Sequence, residues 1–373
     1  MYLYERIIGI SVYVVITFIM ILAIYKSDKS KLKKILTIYL FFLCILAFFY
    51  IPSKTADLYR YIISAKYYNS ISPSNLNNLI VNSSSPMQII YFYLIGRLHI
   101  DGLIPAITAF IYYGCYFRIV YGCAKKYDIS NKSVALSLLL IMAMGGFLSV
   151  ISIVRAFVAF SIIALSIYRE IIENKSPFSN IILYLFAAMM HLSAIVMVVI
   201  RFTLLFFSKE KKISRKIINI LFVLALSILI LKYGSSYFDS MRDKADYYTG
   251  HTVYSYIWEY LISFIYMILS TFILILFNRN KSGCFEIDKL IKYNLIINLI
   301  ILCFSFEYSI FTRFQMFSGI LFTPVFAFYL DYLSKNNKKS MLLTYVYIIA
   351  VIAMFLLACT RGNLCGYKFL LFS

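Results

Sequence analysis

Charged residues are scarce in this sequence. Only 14% of its 373 residues are charged, whereas 62% are hydrophobic and 18% are aromatic. Soluble domains are typically about 45 to 50% apolar and about 25% charged. The composition therefore excludes an ordinary soluble protein and predicts an all-α, polytopic integral membrane protein.

Acidic residues are fewer than basic ones, with 16 Asp and Glu against 36 Lys and Arg, and the formal net charge is +20. Such an excess of positive charge also occurs in proteins that bind nucleic acid. Here, however, the lysines and arginines cluster in short segments between apolar runs, as insertion topology requires. We therefore exclude nucleic acid as a partner.

Metal-ligand spacing is also lacking. Seven cysteines are scattered along the chain, mostly inside apolar runs, and we interpret them as small hydrophobic residues. Only Cys359 and Cys365 share a loop, where a disulfide remains an open alternative. Three aspartates within 239–246 suggest a magnesium site, but the interleaved Arg242 and Lys244 partly neutralise it and favour a solvated loop. We expect no metal and no cofactor.

No cleavable signal sequence is expected. The first apolar run, 7–25, is long enough to span a membrane and is followed by lysines rather than by a small-residue cleavage site. Because the segment 26–34 carries five lysines, it is predicted to be cytoplasmic, with the amino terminus outside.

The remaining basic segments extend this topology. They predict about twelve crossings, two of them short, in a single multi-pass membrane domain over 1–373. Extracytoplasmic loops are expected at about 53–102 and 234–257. The run 181–207 is predicted to go out and come back as a hairpin with His191 near its outer turn, because a basic segment follows it. The predicted cytoplasmic segments are 26–34, 124–133, 169–178, 208–216, 278–289 and 334–340.

One arginine stands out against this apolar background. Arg155 opens an apolar helix soon after Gly145 and Gly146. An arginine at a helix centre costs about 2.5 to 3.5 kcal/mol on insertion scales, so such residues usually face a water-filled cavity and bind an anion. Alternatively, Arg155 marks the helix end and extends to the membrane interface. Arg313 repeats the arrangement near the end of the chain.

Other polar residues fall on the same predicted outer side. Asp57 and Arg60 have helical spacing, and the alternative to a site is a solvated helix. His191 is either functional or a hydrogen bonder between helices. The full set of candidate residues is Asp57, Arg60, Arg155, His191, Tyr247, Glu307 and Arg313. Arginines can bind phosphate oxygens bidentately, and a carboxylate or histidine can take a proton from a sugar hydroxyl.

Four short motifs in this order resemble the Wzy-type O-antigen and capsule polymerases, specifically their EpsG-like branch. That branch often has glutamine at the position of Ala156. The motifs are Asp57-Leu-Tyr-Arg-Tyr61, Ile153-Val-Arg155-Ala-Phe-Val-Ala159, Met190-His191-Leu-Ser193-Ala194 and Thr312-Arg313-Phe.

The resemblance implies a glycosyltransferase of the bacterial cytoplasmic membrane, with a fold similar to that of polyprenyl-phosphate-sugar glycosyltransferases. Such an enzyme transfers a growing undecaprenyl-diphosphate-linked glycan onto a lipid-linked repeat unit at the extracytoplasmic face. Expected partners are the lipid-linked donor and acceptor, membrane lipid and a chain-length regulator protein.

The residue types fit this chemistry, because a diphosphate leaving group needs cations rather than a protonating acid. We assign Arg155 and Arg313 to the donor diphosphate and Arg60 to the diphosphate or the acceptor. His191 or Asp57 is the expected general base. Weaker candidates, for sugar contacts, are Tyr247 and Glu307.

Two other functional classes remain open. A flippase or transporter of lipid-linked oligosaccharide also needs many spans and buried cations, although no convincing internal repeat is visible. An O-antigen ligase or a membrane acyltransferase is the second enzymatic alternative.

Overall fold

The computed structural model describes residues 2–54, 56–144, 146–191, 193–207, 257–280, 283–303, 305 and 308–336. These residues form 14 α-helices and no β-strand, which confirms the predicted all-α class. The first seven are α1 (Tyr2–Lys26), α2 (Leu32–Phe48), α3 (Asp57–Ser70), α4 (Pro73–Asn82), α5 (Pro86–Gly96), α6 (Leu103–Lys126) and α7 (Asn131–Met144). The others are α8 (Phe147–Ser152), α9 (Val154–Ile171), α10 (Ile181–Met190), α11 (Ser193–Phe207), α12 (Ile257–Asn280), α13 (Phe285–Cys303) and α14 (Tyr308–Asn336).

Helix α9 lies at the centre of the packing, where it contacts α6, α10, α11 and α14. All but three of its residues are buried. Helix α6 packs on its other side against α2, and α14 packs against α7 and α13. The α6–α9 contact is close because Gly122 has no side chain: a Cβ there would lie 1.8 Å from the Tyr168 hydroxyl. The site at the start of α9 therefore rests on a well-packed element.

The predicted cytoplasmic segments that the structure describes meet at one end of the bundle, which we call the basic end. The Asn131 amide donates to the Ser27 carbonyl at 2.9 Å, and the Ser130 N–H donates to Asp331 at 2.9 Å. Lys126 forms an ion pair with Glu286 at 3.1 Å. These contacts join the segments between α1 and α2 and between α6 and α7 to the beginning of α13 and the end of α14, as expected for loops on one side of a membrane.

Helices α10 and α11 form an antiparallel hairpin, as predicted for 181–207. The Tyr184 hydroxyl of α10 and Arg201 Nε of α11 both bond to the Glu170 carboxylate, at 2.7 and 2.9 Å. Both arms therefore begin or end beside Glu170, and the turn at His191 lies away from the basic end. At 1.5 Å per residue, the arms are only about 15 and 22 Å long, shorter than a hydrocarbon core of about 30 Å.

Two of the described helical stretches, Leu103–Lys126 and Arg313–Lys335, are long and apolar enough to cross a membrane. This is fewer than the predicted number of about twelve. Several of the other apolar helices are short, including α10 and α11, and α9 carries charged residues at both ends. Regions 208–256 and 337–373, where further crossings and the 234–257 loop were predicted, lie outside the described residues, as do Cys359 and Cys365.

Candidate functional site

Arg155 lies one residue inside the start of α9. The chain leaves helical geometry at Ile153 (φ −92°, ψ 52°), which separates α8 from α9 and lets Arg155 project at the end of the bundle opposite the basic end. Arg155 is partly buried. Its Nε donates to the Tyr61 hydroxyl at 3.1 Å, and its Nη1 donates to Gln88 Oε1 at 2.7 Å.

Helices α3 and α5 supply these two partners. The guanidinium carbon of Arg155 lies 5.5 Å from the centroid of the Tyr61 ring, and this ring stacks on Phe92 of α5 at 4.9 Å. The two helices approach closely at Gly96, where a Cβ would lie 3.0 Å from the Ala65 carbonyl oxygen. Close packing of α3 on α5 thus brings Tyr61 and Gln88 together around one guanidinium.

No carboxylate among the described residues forms an ion pair with Arg155. Arg201, by contrast, forms a buried ion pair with Glu170. Tyr61 and Gln88 are neutral, so they accept two hydrogen bonds from the guanidinium without balancing its charge. Burial raises the pKa of the nearby Tyr68, and the positive charge of Arg155 opposes that rise. A partly buried cation held by neutral groups is suited to binding an anion.

Asp57 and Arg60 form an ion pair with each other instead of joining Arg155. Their side chains are 39% and 70% exposed, respectively. Successive residues of a helix are about 100° apart, so α3 turns Tyr61 toward Arg155 while Arg60 faces outward. The helix predicted to carry Asp57 and Arg60 is present, but the residue that it brings to Arg155 is Tyr61.

His191 lies at the turn of the α10–α11 hairpin and is 8% exposed. The backbone N–H of Ser193 donates to His191 Nδ1 at 3.2 Å, and the Ser193 hydroxyl lies 2.5 Å from the same atom. Because Nδ1 accepts a hydrogen bond from a backbone donor, the neutral ring carries its proton on Nε2. In this geometry Nε2 is a hydrogen-bond donor rather than a base.

Phe160 of α9 contacts the turn that carries His191 and also the helix that carries Arg313. Its ring lies 6.2 Å from the His191 ring and 6.2 Å from Phe314 of α14. Phe160 follows Arg155 by five residues on α9, about 7.5 Å further along the helix axis. Arg313 directly precedes Phe314 and is partly buried.

Arg313, like Arg155, has no carboxylate partner in the part of the chain that the structure describes. Phe160 of α9 contacts both the His191 turn and the residue that follows Arg313 on α14. Tyr247 and Glu307 lie outside the described residues.

Sequence reasoning did not identify Gln88 or Ser193 as parts of the site. Gln88 contacts Arg155 across 67 positions of the chain, and no local pattern marks it. Ser193 had a signal, because it follows His191 within the Met190-His191-Leu-Ser193-Ala194 motif. Tyr61 also belongs to a motif, although its contact with Arg155 was not predicted.

A family model described as the EpsG family matches residues 102–371. The match includes Arg155, His191 and Arg313, whereas Tyr61 and Gln88 precede it. The chain matches no curated protein and no solved structure. Because the family model covers more than half of the sequence, the chain belongs to the EpsG family, and this membership implies a role in exopolysaccharide biosynthesis.

Proposed function

We propose that this member of the EpsG family is a Wzy-type polysaccharide polymerase, a glycosyltransferase that joins lipid-linked glycans at the extracytoplasmic face of the bacterial cytoplasmic membrane. Its donor is a growing glycan on undecaprenyl diphosphate, and its acceptor is a lipid-linked repeat unit. The observation that carries the proposal is the partly buried Arg155, whose partners among the described residues are the neutral Tyr61 and Gln88, at the end of the bundle opposite the basic segments.

The bundle is proposed to lie in the membrane as a single multi-pass domain of about twelve crossings, with the basic end in the cytoplasm. The start of α9 then faces outward. Lipid-linked repeat units that have been moved across the membrane are available on that side, whereas nucleotide sugars of the cytosol are not. This placement favours a transferase that uses lipid-diphosphate donors.

In the proposed reaction, the acceptor hydroxyl attacks the anomeric carbon of the donor sugar. The bond from that carbon to the diphosphate oxygen breaks, and the diphosphate leaves with the electron pair. Arg155 and Arg313 bind the diphosphate and stabilise the negative charge that grows on its oxygens. The Tyr61 and Gln88 contacts hold the Arg155 guanidinium in place beforehand.

The proton of the acceptor hydroxyl must pass to a base. Of the two predicted candidates, Asp57 suits this role better, because an ionised carboxylate accepts protons whereas His191 Nε2 is a donor in the observed geometry. We assign His191 to a hydrogen bond with a diphosphate oxygen. Arg60, paired with Asp57, orients that carboxylate or binds the acceptor, and Tyr247 and Glu307 are proposed to contact sugars.

The proposal is tested with the purified full-length chain in lipid vesicles that contain a lipid-diphosphate repeat unit. Polymers of several repeats should form in the presence of EDTA, because arginines neutralise the leaving group. Failure to form any polymer from a substrate that the host elongates would contradict the proposal. A strict requirement for added magnesium would instead indicate that a magnesium ion, bound by the aspartates within 239–246, neutralises the leaving group in place of Arg155 and Arg313.

One observation favours a second candidate function, a flippase or transporter. Arms as short as those of the α10–α11 hairpin end inside the bundle, and interrupted helices often form the binding sites of transporters. The same vesicles discriminate the two functions. A transporter moves the lipid-linked unit across the bilayer without changing its length, whereas a polymerase lengthens the glycan.

A further inference from the structure

A cleft of about 510 Å³ that is open to solvent, which we call the cavity, lies at the α3–α5 end of the molecule, next to the Arg155 site but not part of it. This volume falls within the range of about 300 to 1,000 Å³ that is usual for ligand clefts. None of the lining residues is charged. They are Tyr67 of α3, Asn75, Asn78, Leu79 and Asn82 of α4, Ser83, and Ile89 of α5.

The three asparagines lie on one face of α4, because their spacings of three and four residues correspond to successive turns. Their side-chain amides make no hydrogen bond with any other residue in the described part of the chain. Each amide offers two donors and one acceptor, and a sugar hydroxyl both donates and accepts. The exposed ring of Tyr67 and the side chains of Leu79 and Ile89 add apolar surface for the C–H faces of a sugar ring.

The cavity and the Arg155 site share two helices. On α5, Gln88 bonds to Arg155 and the next residue, Ile89, lines the cavity. On α3, Tyr67 lines the cavity and the next residue, Tyr68, experiences the positive charge of Arg155. Successive helix positions differ by about 100°, so the two sites lie on adjacent sides of the α3–α5 pair.

We infer that this cavity binds neutral sugar residues of the lipid-linked glycan while Arg155 binds the attached diphosphate. The inference rests on the proposed function for the identity of the ligand. Charge distinguishes the two sites. The anionic diphosphate binds the Arg155 guanidinium, whereas the uncharged, hydroxyl-rich sugars bind the amides, the hydroxyl and the aromatic ring of the cavity. The cavity would thus hold the substrate by its sugars, next to the site of bond cleavage.

The test measures the binding of two probes to the purified full-length protein in detergent. One probe is the lipid-free oligosaccharide of a single repeat unit, prepared from the host polysaccharide, and the other is inorganic pyrophosphate. Replacing all three asparagines by alanine (N75A/N78A/N82A) should weaken oligosaccharide binding by about tenfold or more, because several hydrogen-bonding groups are lost. Pyrophosphate binding should not change.

Asn77→Ala is the matched control, since Asn77 is an exposed asparagine of the same helix that does not line the cavity. It should bind both probes like the wild type. Asn78→Trp provides a second variant, which should block the oligosaccharide by filling the cavity. Oligosaccharide binding by the triple variant that equals the wild type would overturn the inference.

Polymer formation separates this inference from the proposed function. If the wild type binds the oligosaccharide through the three asparagines but forms no polymer, the polymerase proposal fails and the sugar site stands. If the wild type forms polymer and the triple variant has the same KM for the lipid-linked acceptor and donor, the sugar site fails and the polymerase proposal stands.

Discussion

Arg155 combines a fixed orientation with a charge that no described residue balances. Two of its nitrogens are held by Tyr61 and Gln88 from separate helices, so the guanidinium plane has a defined direction. A lysine at this position offers a single compact ammonium and cannot reproduce both contacts. If catalysis depends on the direction of the Arg155 N–H donors, a positive charge alone at this position should not support polymerisation.

We therefore expect Arg155→Lys to insert and fold normally but to lose most polymerisation. Loss of one preorganised contact to the leaving group costs about 2.7 to 4 kcal/mol, roughly a hundredfold or more in rate. Arg155→Ala should be at least as severe. The measurement is glycan chain length together with the abundance of each variant in the membrane.

Arg97→Ala is the control, because Arg97 is an exposed arginine at the end of α5 that lies over the Tyr93 ring and forms no ion pair with a described residue. It should polymerise like the wild type. Near-normal chain lengths in Arg155→Lys would remove Arg155 from the proposed phosphate site and favour an arginine that merely extends to the interface.

Tyr61 supports Arg155 in two ways, by a hydroxyl and by a ring face. Tyr61→Phe keeps the ring but removes the hydroxyl, and a hydrogen bond to a charged group contributes about 1.5 to 3 kcal/mol. We expect kcat to fall by about tenfold to a hundredfold in Tyr61→Phe and further in Tyr61→Ala, which also loses the cation–π contact. Steady-state kinetics on the lipid-linked substrate measure both effects.

Tyr59→Phe serves as the comparison on the same helix, since the Tyr59 hydroxyl bonds to none of the described residues. It should leave kcat unchanged. Equal rates for Tyr61→Phe and the wild type would mean that the hydroxyl does not position the guanidinium.

At the scale of elements, the α10–α11 hairpin depends on a buried ion pair. The Glu170 side chain is 1% exposed and that of Arg201 is 11% exposed, and Glu170 also accepts a hydrogen bond from Tyr184. The Glu170 carboxylate of α9 thus contacts both arms of the hairpin. The two arms meet at the turn that carries His191, so the ion pair and the histidine lie at opposite ends of the hairpin.

Arg201→Met should destabilise the protein by about 3 to 5 kcal/mol, because it leaves the Glu170 carboxylate buried without its counter-ion. The double variant E170L/R201M should recover much of this loss, since a buried pair can often be replaced by apolar residues. Calorimetric unfolding of the detergent-solubilised protein measures the difference.

The matched control is Arg118→Met, which breaks the more exposed pair of Arg118 with Glu173. Such pairs contribute about 0 to 1 kcal/mol, so unfolding should change little. If Arg201→Met unfolded at the wild-type temperature, the ion pair would not be what holds the hairpin.

At the scale of the whole molecule, the two ends of the bundle differ in chemistry. The basic end gathers lysines from the segments between helices, whereas the opposite end presents Arg155, the amide-lined cavity and the ion pair of Lys66 with Asp101. The positive-inside rule predicts that the basic end of such a molecule lies in the cytoplasm. Both proposed binding sites depend on that orientation.

Cysteine labelling tests the orientation of the bundle in the membrane. In a variant without its seven native cysteines, Ser72→Cys at the start of α4 should react with an impermeant maleimide in intact cells. Lys31→Cys, between α1 and α2, should react only after the membrane is made permeable. Both residues are exposed, so accessibility within the protein does not decide the result. The reverse pattern would place Arg155 on the cytoplasmic side and contradict an extracytoplasmic active site.

The sequence by itself determined the helical class, the hairpin over 181–207, the shared end of the basic segments and the resemblance to the EpsG-like branch. These features follow from signals within short stretches: apolar length, charge beside apolar runs and motif order. Arg155 and Arg313 were recognisable for the same reason, since each is a charge at the start of an apolar run.

Only the tertiary structure decided which groups meet. Tyr61 and Gln88 reach Arg155 across 94 and 67 positions, and the cavity combines residues of three helices. Asp57 and Arg60, recognisable as a pair on one helix, form an ion pair with each other, whereas the packing of α3 on α5 brings Tyr61 to Arg155. The proton position on His191 depends on a backbone N–H two residues away, which points at the ring only because the helix breaks there. Such contacts are set by the mutual packing of helices, which local sequence patterns do not encode.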